Sequence, residues 1–150
     1  MNSKKDVINA WVKEEWANPP ASLTAASEKY LSDDFVNIDQ EGNVIANKEA
    51  YIAMAQASAA SFTGFKVVIS DLQEVSDGVI VTNHFEGTHT SDFDLSAMGL
   101  GVIPPSGKKI VWADAKSKFT VEGDKITGIQ EISGGLEWFL APLGVKLPSQ

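Results

Sequence analysis

Phe65-Lys66-Val67-Val68-Ile69-Ser70-Asp71-Leu72-Gln73-Glu74-Val75 runs through Ser76-Asp77-Gly78 into Val79-Ile80-Val81-Thr82-Asn83-His84-Phe85-Glu86-Gly87-Thr88-His89-Thr90, and this stretch decides the fold. Branched and aromatic residues recur in it with period two, and Ser-Asp-Gly at its middle is tight-turn chemistry. The reading is a long antiparallel ribbon, Phe65 to Val75 paired with Val79 to about Thr90. Alternation puts Val79, Val81, Asn83, Phe85 and His89 on one face of the second strand. His84 and His89 are five apart and so point to opposite faces, which disfavours a two-histidine metal site.

Toward the N-terminus the period becomes helical. Ile8, Trp11, Val12 and Trp16 share one helical face, predicting a helix from about Ser3 to Ala17 that Asn18-Pro19-Pro20 ends. Leu23, Ala26, Tyr30 and Leu31 mark a shorter second helix, completing a helical hairpin. Asp34 to Asp39 reads as a short strand running into the turn Gln40-Glu41-Gly42-Asn43. Asn47 is a good N-cap for a third helix with Tyr51, Met54, Ala55, Ser58 and Phe62 at helical spacing, until Thr63-Gly64 breaks it.

Toward the C-terminus, Gly99, Gly101, Pro104, Pro105 and Gly107 predict a loop from Ser96 to Lys108, which we expect over a pocket mouth. Lys109 to Val121 reads as one strand. Its inner face is Val111, Ala113, Ala115, Ser117, Phe119 and Val121, and its outer face Trp112, Asp114, Lys116, Lys118 and Thr120. Small residues at 113, 115 and 117 leave interior volume for something else to fill. After the turn Glu122-Gly123-Asp124-Lys125 comes a last strand, Ile126 to Ser133, and then a terminal apolar segment with Leu136, Trp138, Phe139, Leu140 and Leu143. Helices first and an antiparallel sheet afterwards give an α+β class, with Phe62, Phe85, Phe119 and Val121 expected in the core.

The length of 150 residues fits a single domain, 1–150. A net charge of −8 repels polyanions, and none of the twelve basic residues is Arg, so nucleic acid is not an expected partner and bidentate phosphate clamps are not available. No Cys is present, which removes disulfides, thiolate metal ligands and cysteine nucleophiles. No apolar run is long enough to span a bilayer and the first residues do not read as an export signal, so we expect no membrane partner and a cytoplasmic home.

Tyr30-Leu31-Ser32-Asp33-Asp34-Phe35, Ser61-Phe62-Thr63-Gly64-Phe65, Gly87-Thr88-His89-Thr90, Ile103-Pro104-Pro105-Ser106-Gly107-Lys108 and Gly123-Asp124-Lys125-Ile126 follow one another across nearly the whole chain. In this order they resemble the SnoaL-like polyketide ester cyclases of the nuclear transport factor 2-like superfamily. The resemblance implies a cone-shaped α+β barrel: a curved antiparallel sheet wrapped around the helix at about Asn47 to Phe62, the helical hairpin closing one end. It also implies a pocket for a small apolar organic molecule, a cofactor-free reaction and dimerisation through the outer sheet face. Ring-closing members carry a Trp-Asp pair on the last strand, the Asp acting as acid/base. The matching pair here is Gln130-Glu131, which keeps the carboxylate one methylene further out, while the penultimate strand offers Ala115 and Ser117 where such cyclases place polar or His side chains.

The catalytic candidates are therefore Glu131, as a carboxylate desolvated beside Ile129, and His89, as a proton shuttle or hydrogen-bond partner. Asn83, Ser117, Tyr51, Phe119 and Trp138 are the ligand-binding candidates. No metal ligands are assigned: Asp92 and Asp94 read as solvated loop acids, and Asp114 as a partner of Lys116 or Lys118 outside the sheet. Trp112, expected on the outer face, is the anchor of the anticipated homodimer. Two functions stay open: a cofactor-free ester cyclase, isomerase or lyase working beside a carbonyl, and a non-catalytic ligand-binding or dimerisation module. An Asp-Arg-Asp epoxide hydrolase is excluded by the lack of Arg.

Overall fold

Ser3 opens the first helix by a reciprocal exchange: its hydroxyl accepts from the Asp6 amide at 3.2 Å, and its own amide donates to the Asp6 carboxylate at 3.2 Å. Each bond satisfies a donor that the start of a helix leaves open. The computed structural model describes residues 3–18, 21–96, 100–134 and 136–144. The helix so begun, α1, spans Lys4–Glu15, followed by α2 (Ala21–Tyr30), β1 (Leu31–Ile38), β2 (Val44–Asn47) and α3 (Lys48–Ser61). Leu31, expected in the second helix, starts β1 instead. Asn47 caps α3 as anticipated, its Oδ1 accepting from the Ala50 amide at 2.9 Å.

The ribbon is β3 (Phe62–Val75) and β4 (Gly78–His89). β3 starts earlier than the Thr63-Gly64 break suggested, because Gly64 takes a φ of +67° at a bulge between Thr63 and Lys66 and lets the chain continue as strand. At the turn, a Cβ on Gly78 would lie 2.0 Å from the Phe119 carbonyl oxygen, so only glycine lets the strands meet there. The rest of the chain forms β5 (Phe93–Asp94), β6 (Val102–Ile103), β7 (Lys109–Val111), β8 (Ala115–Glu122), β9 (Lys125–Ser133), α4 (Leu136–Leu140) and a 3-10 turn, Ala141–Leu143.

The main sheet has the order β2-β1-β9-β8-β4-β3, with β7 also on β4, and is antiparallel except for the β1–β9 pair. α3 packs on β1 and β2 toward one edge and on β3 at the other, so the sheet curves around it. α1 packs on β3, β4 and β9, and with α2 closes one end. Phe62, Phe119 and Val121 are buried as expected, while Phe85 is partly buried. Among the described residues, no helix is long and apolar enough to cross a membrane.

Two expectations fail in this region. Lys109 to Val121 is not one strand: β4 pairs Glu86 with Val111 and Asn83 with Ala115, so residues 112–114 oppose only 84–85. The extra residue reverses the alternation on the N-terminal side of the bulge. Val111 is therefore 57% exposed and Ala113 exposed, whereas Trp112 is 2% exposed, so Trp112 is a core residue and not an outer-face anchor. The second correction concerns Ser96 to Lys108, which contains β6, and whose Leu100 and Ile103 pack with Phe93 and Leu95 of the β5 stretch against Phe62, Trp112 and Phe139. It caps this second aromatic cluster rather than a pocket mouth; Gly99 lies outside the described residues.

Candidate functional site

A cavity of about 240 Å³ opens between α1, α3 and the concave face of the sheet. That is far more than the ~15 Å³ of probe volume one water needs. Tyr51, Met54, Ala55 and Ser58 line it from α3 at helical spacing, Ala55 and Ser58 being the small residues that leave it open. Phe65 and Val67 come from β3, Asn83 and Phe85 from β4, Ala115, Ser117 and Phe119 from β8, and Trp138 and Phe139 from α4. The wall is thus mainly apolar with a few polar groups set into it, the usual make-up of a small-molecule site.

Glu131 enters this cavity from β9 and is half-buried. It pairs across the sheet with Ser117, which pairs in turn with Val81, so the three share a row on the concave face. Burial pushes the Glu131 carboxyl up to about 7, and the charges of Asp39 and Glu41 push it the same way. Asp39 is a durable source of that charge: it accepts from the Asn43 amide at 2.8 Å and the Glu41 amide at 3.0 Å, which holds its own carboxyl below the ordinary range. Ser117 and Asn83 make no side-chain hydrogen bond among the described residues; Ser117 stands opposite Glu131 on β8, and Asn83 lines the same cavity from β4. Asn37 of β1 also lines the cavity, its amide donating to the Ile129 carbonyl at 3.1 Å.

Of the residues singled out from sequence, Glu131, Asn83, Ser117, Tyr51, Phe119 and Trp138 all meet in this cavity. His89 does not. It is 1% exposed, stacked on Phe62 at 5.0 Å, and buried in the neighbouring aromatic region, while its backbone joins Gly107 and Lys108 to the end of β4. Both its ring nitrogens lack a partner among the described residues. His84 lies on the opposite face, bridging Asp114 and Glu86 at 3.1 Å each, and these two carboxylates raise its pKa. Asp114 therefore pairs with His84 and not with Lys116 or Lys118, and Lys118 reaches Asp77 at 2.9 Å. Asp92 and Asp94 are exposed, and no metal-holding cluster of His, Asp or Glu occurs among the described residues.

The sequence reading missed Glu15. This last residue of α1 is only 4% exposed and lines the cavity, and burial pushes its carboxyl up to about 8. The signal was available: Glu15 lies four residues after Trp11 and seven after Ile8, on the apolar stripe itself.

A family profile described as SnoaL-like polyketide cyclase matches residues 9–136. Among curated proteins none matches. Solved structures share the fold at low identity. A candidate SnoaL-like polyketide cyclase from Jannaschia sp. CCS1 is 16% identical, with a TM-score of 0.71 over 97% of this chain and 93% of that one. IdmH, a candidate polyketide cyclase from Streptomyces antibioticus, is 21% identical, with a TM-score of 0.68 over 96% of this chain and 100% of its own. A Catenulispora acidiphila protein with a ketosteroid isomerase-like fold, solved with trimethylamine, is 15% identical, with a TM-score of 0.63 over 95% of each chain. With the profile covering most of the sequence, this chain belongs to the SnoaL-like polyketide cyclase family.

Proposed function

We propose that the chain is a cofactor-free proton-transfer enzyme acting on a small, mainly apolar carbonyl compound, with Glu131 as the acid/base. The observation that carries this reading is the Glu131 carboxyl itself, set into a mainly apolar cavity with Ser117 opposite it and Asn83 in the same lining, and poised near neutrality by burial and by Asp39. Ionised Glu131 takes a proton from the carbon next to the carbonyl. The C–H electrons move into an enolate, and Ser117 or Asn83 donates a hydrogen bond to the oxygen that gains the charge. In a cyclase the enolate carbon then forms a bond to a second carbonyl carbon of the same molecule, and the resulting alkoxide takes the proton back. In an isomerase the proton returns to a different carbon. Both sequences balance without a cofactor.

The test uses 2-tetralone, a bicyclic ketone with acidic protons next to its carbonyl. Wild-type protein in heavy water should speed deuterium exchange at those carbons, read by NMR, and Glu131→Gln should abolish the acceleration while binding the ketone equally well. Full exchange by the variant would remove Glu131 from the mechanism. A second reading, a ligand-holding module without turnover, is favoured by the position of His89 outside the cavity. It predicts ketone binding with no acceleration in either protein.

The assembly part of the proposal is a homodimer through the outer sheet face. Trp112 no longer supports it, but Val68 and Val111, 47% and 57% exposed, do. They pair with His84 and Glu86 of β4 and so lie on the same outer face. Light scattering at micromolar concentration should give twice the monomer mass, and Val111→Asp should return it to one.

A further inference from the structure

Three buried polar atoms on the α1 wall of the cavity have no partner among the described residues: Glu15 Oε2, Trp11 Nε1 and Trp16 Nε1. Trp11 is 2% and Glu15 4% exposed, so water outside the protein does not satisfy them. Native interiors pair almost all such groups, and three orphans on residues that line one cavity point to a ligand that supplies the missing bonds. Tyr51 stands beside them, its ring 6.1 Å from that of Trp11. Burial first and the nearby Glu15 second hold its hydroxyl in the neutral, donating form. This end is built from α1 and α3, whereas Glu131 enters the cavity from β9.

We propose that Glu15, Trp11, Trp16 and Tyr51 form a second polar subsite, which holds a neutral oxygen of the ligand, a hydroxyl or carbonyl, while Glu131 works on the ketone at the other wall. The proposal rests on the Glu131 reading for which end the ketone takes, and it narrows the substrate to neutral compounds with two oxygen functions on an apolar skeleton. The subsite excludes anions. A ligand carboxylate would be buried with no Lys among the described residues of the cavity lining to pair with its charge, whereas a hydroxyl can donate to Glu15 Oε2 and accept from an indole N–H at once.

Few other titratable groups bear on Glu15. On α1 and α2, Glu14, Lys29 and Tyr30 bond one another at the surface. On β3, Lys66, Asp71 and Glu74 are exposed; on β4, His84 and Glu86 bond each other on the outer face and His89 stacks on Phe62; on β9, Lys125 is exposed, leaving Tyr51 of α3 beside Glu15 and Glu131 of β9 across the cavity. The subsite should therefore work while Glu15 keeps its proton and fail as pH rises through about 8.

Calorimetry with 2-tetralone and its 6-hydroxy and 7-hydroxy derivatives tests this. At pH 6 at least one hydroxy ketone should bind wild type about tenfold tighter than the parent, the worth of one good hydrogen bond. Glu15→Leu should erase that gain. Glu15→Gln, which still donates but cannot ionise, should keep most of it and lose its decline above pH 8. Trp16→Phe should reduce the gain as well, and serves if Glu15→Leu does not fold. The subsite is wrong if neither derivative gains over the parent, or if the gain survives in Glu15→Leu or, should that variant not fold, in Trp16→Phe. Glu131→Gln separates the two ideas: lost exchange acceleration with an intact hydroxyl gain is the expected result, and a gain without exchange in wild type sinks only the Glu131 reading.

Discussion

The indole of Trp112 lies flat on the ring of Phe139, centroids 4.8 Å apart and planes 4° from parallel, and its Nε1 donates to the Phe139 carbonyl at 2.8 Å. This pair ties the bulge between β7 and β8 to α4, whose Trp138 and Phe139 line the cavity. Trp112→Ala should cost about 3–5 kcal/mol of folding stability through the cavity it leaves. Trp112→Phe should cost about 1–3 kcal/mol, because it leaves a buried carbonyl unpaired. Urea unfolding measures both, and a loss below half a kcal/mol for the Ala variant would contradict the burial described.

The same residue shows where the sequence was legible and where it was not. Periods of 3.6 and 2 located the first three helices and the long ribbon, because each element is regular over several turns or residue pairs. They failed at 112–114, where one inserted residue inverts the faces and no Gly or Pro in Val111-Trp112-Ala113-Asp114 announces it. Trp112 itself held the hint, since a large aromatic gains more from burial than from a wet sheet face. Below the bulge the alternation is restored, which is why Ser117, Phe119 and Glu131 were assignable to the cavity and Asp114 was not assignable to His84. His89 was placed on the correct face, but the face continues from the cavity into a second aromatic cluster, and alternation alone does not say where one ends. Glu15 was hidden by residue type: a helical Glu between Glu14 and Trp16 reads as solvated, although its spacing put it on the buried stripe.

Asp39 gives a handle on Glu131 that leaves the carboxyl untouched. If ionised Glu131 is the base, ketone exchange should rise with pH through about 7. Asp39→Asn keeps an oxygen to accept from Glu41 and Asn43 but removes the negative charge, so the rising limb should move to lower pH. It should not return to the ordinary carboxylate range, because burial is the larger cause. A limb unmoved in Asp39→Asn would mean that the titrating group is not Glu131.

Ser117→Phe tests whether the cavity is where the ligand sits. The added ring enters existing space between β8 and α3 instead of displacing packed neighbours, so the melting temperature should hold within a few degrees or rise. Affinity for 2-tetralone should fall more than about tenfold, since the ring takes the ligand's volume. Unchanged affinity by calorimetry would place the ligand elsewhere.

Glu15 makes stability itself depend on pH, and the sign can be worked out. The unfolded chain releases this proton near the ordinary carboxyl value of ~4.3, whereas the folded chain keeps it up to about 8. Between those values the folded state binds more protons than the unfolded one, so stability falls as pH rises and levels off above about 8. Below the lower value both states hold the proton and nothing is lost. Glu131 adds a smaller decline of the same sign, ending near 7. Glu15→Gln removes the larger decline while keeping shape and donor, so it should leave stability nearly unchanged at pH 4 and raise it at pH 8.5 by on the order of 5 kcal/mol. Urea unfolding at the two pH values, wild type against variant, measures the difference. An equal effect at both would mean that Glu15 is already ionised in the folded protein, and the neutral donor at the α1 wall would go with it.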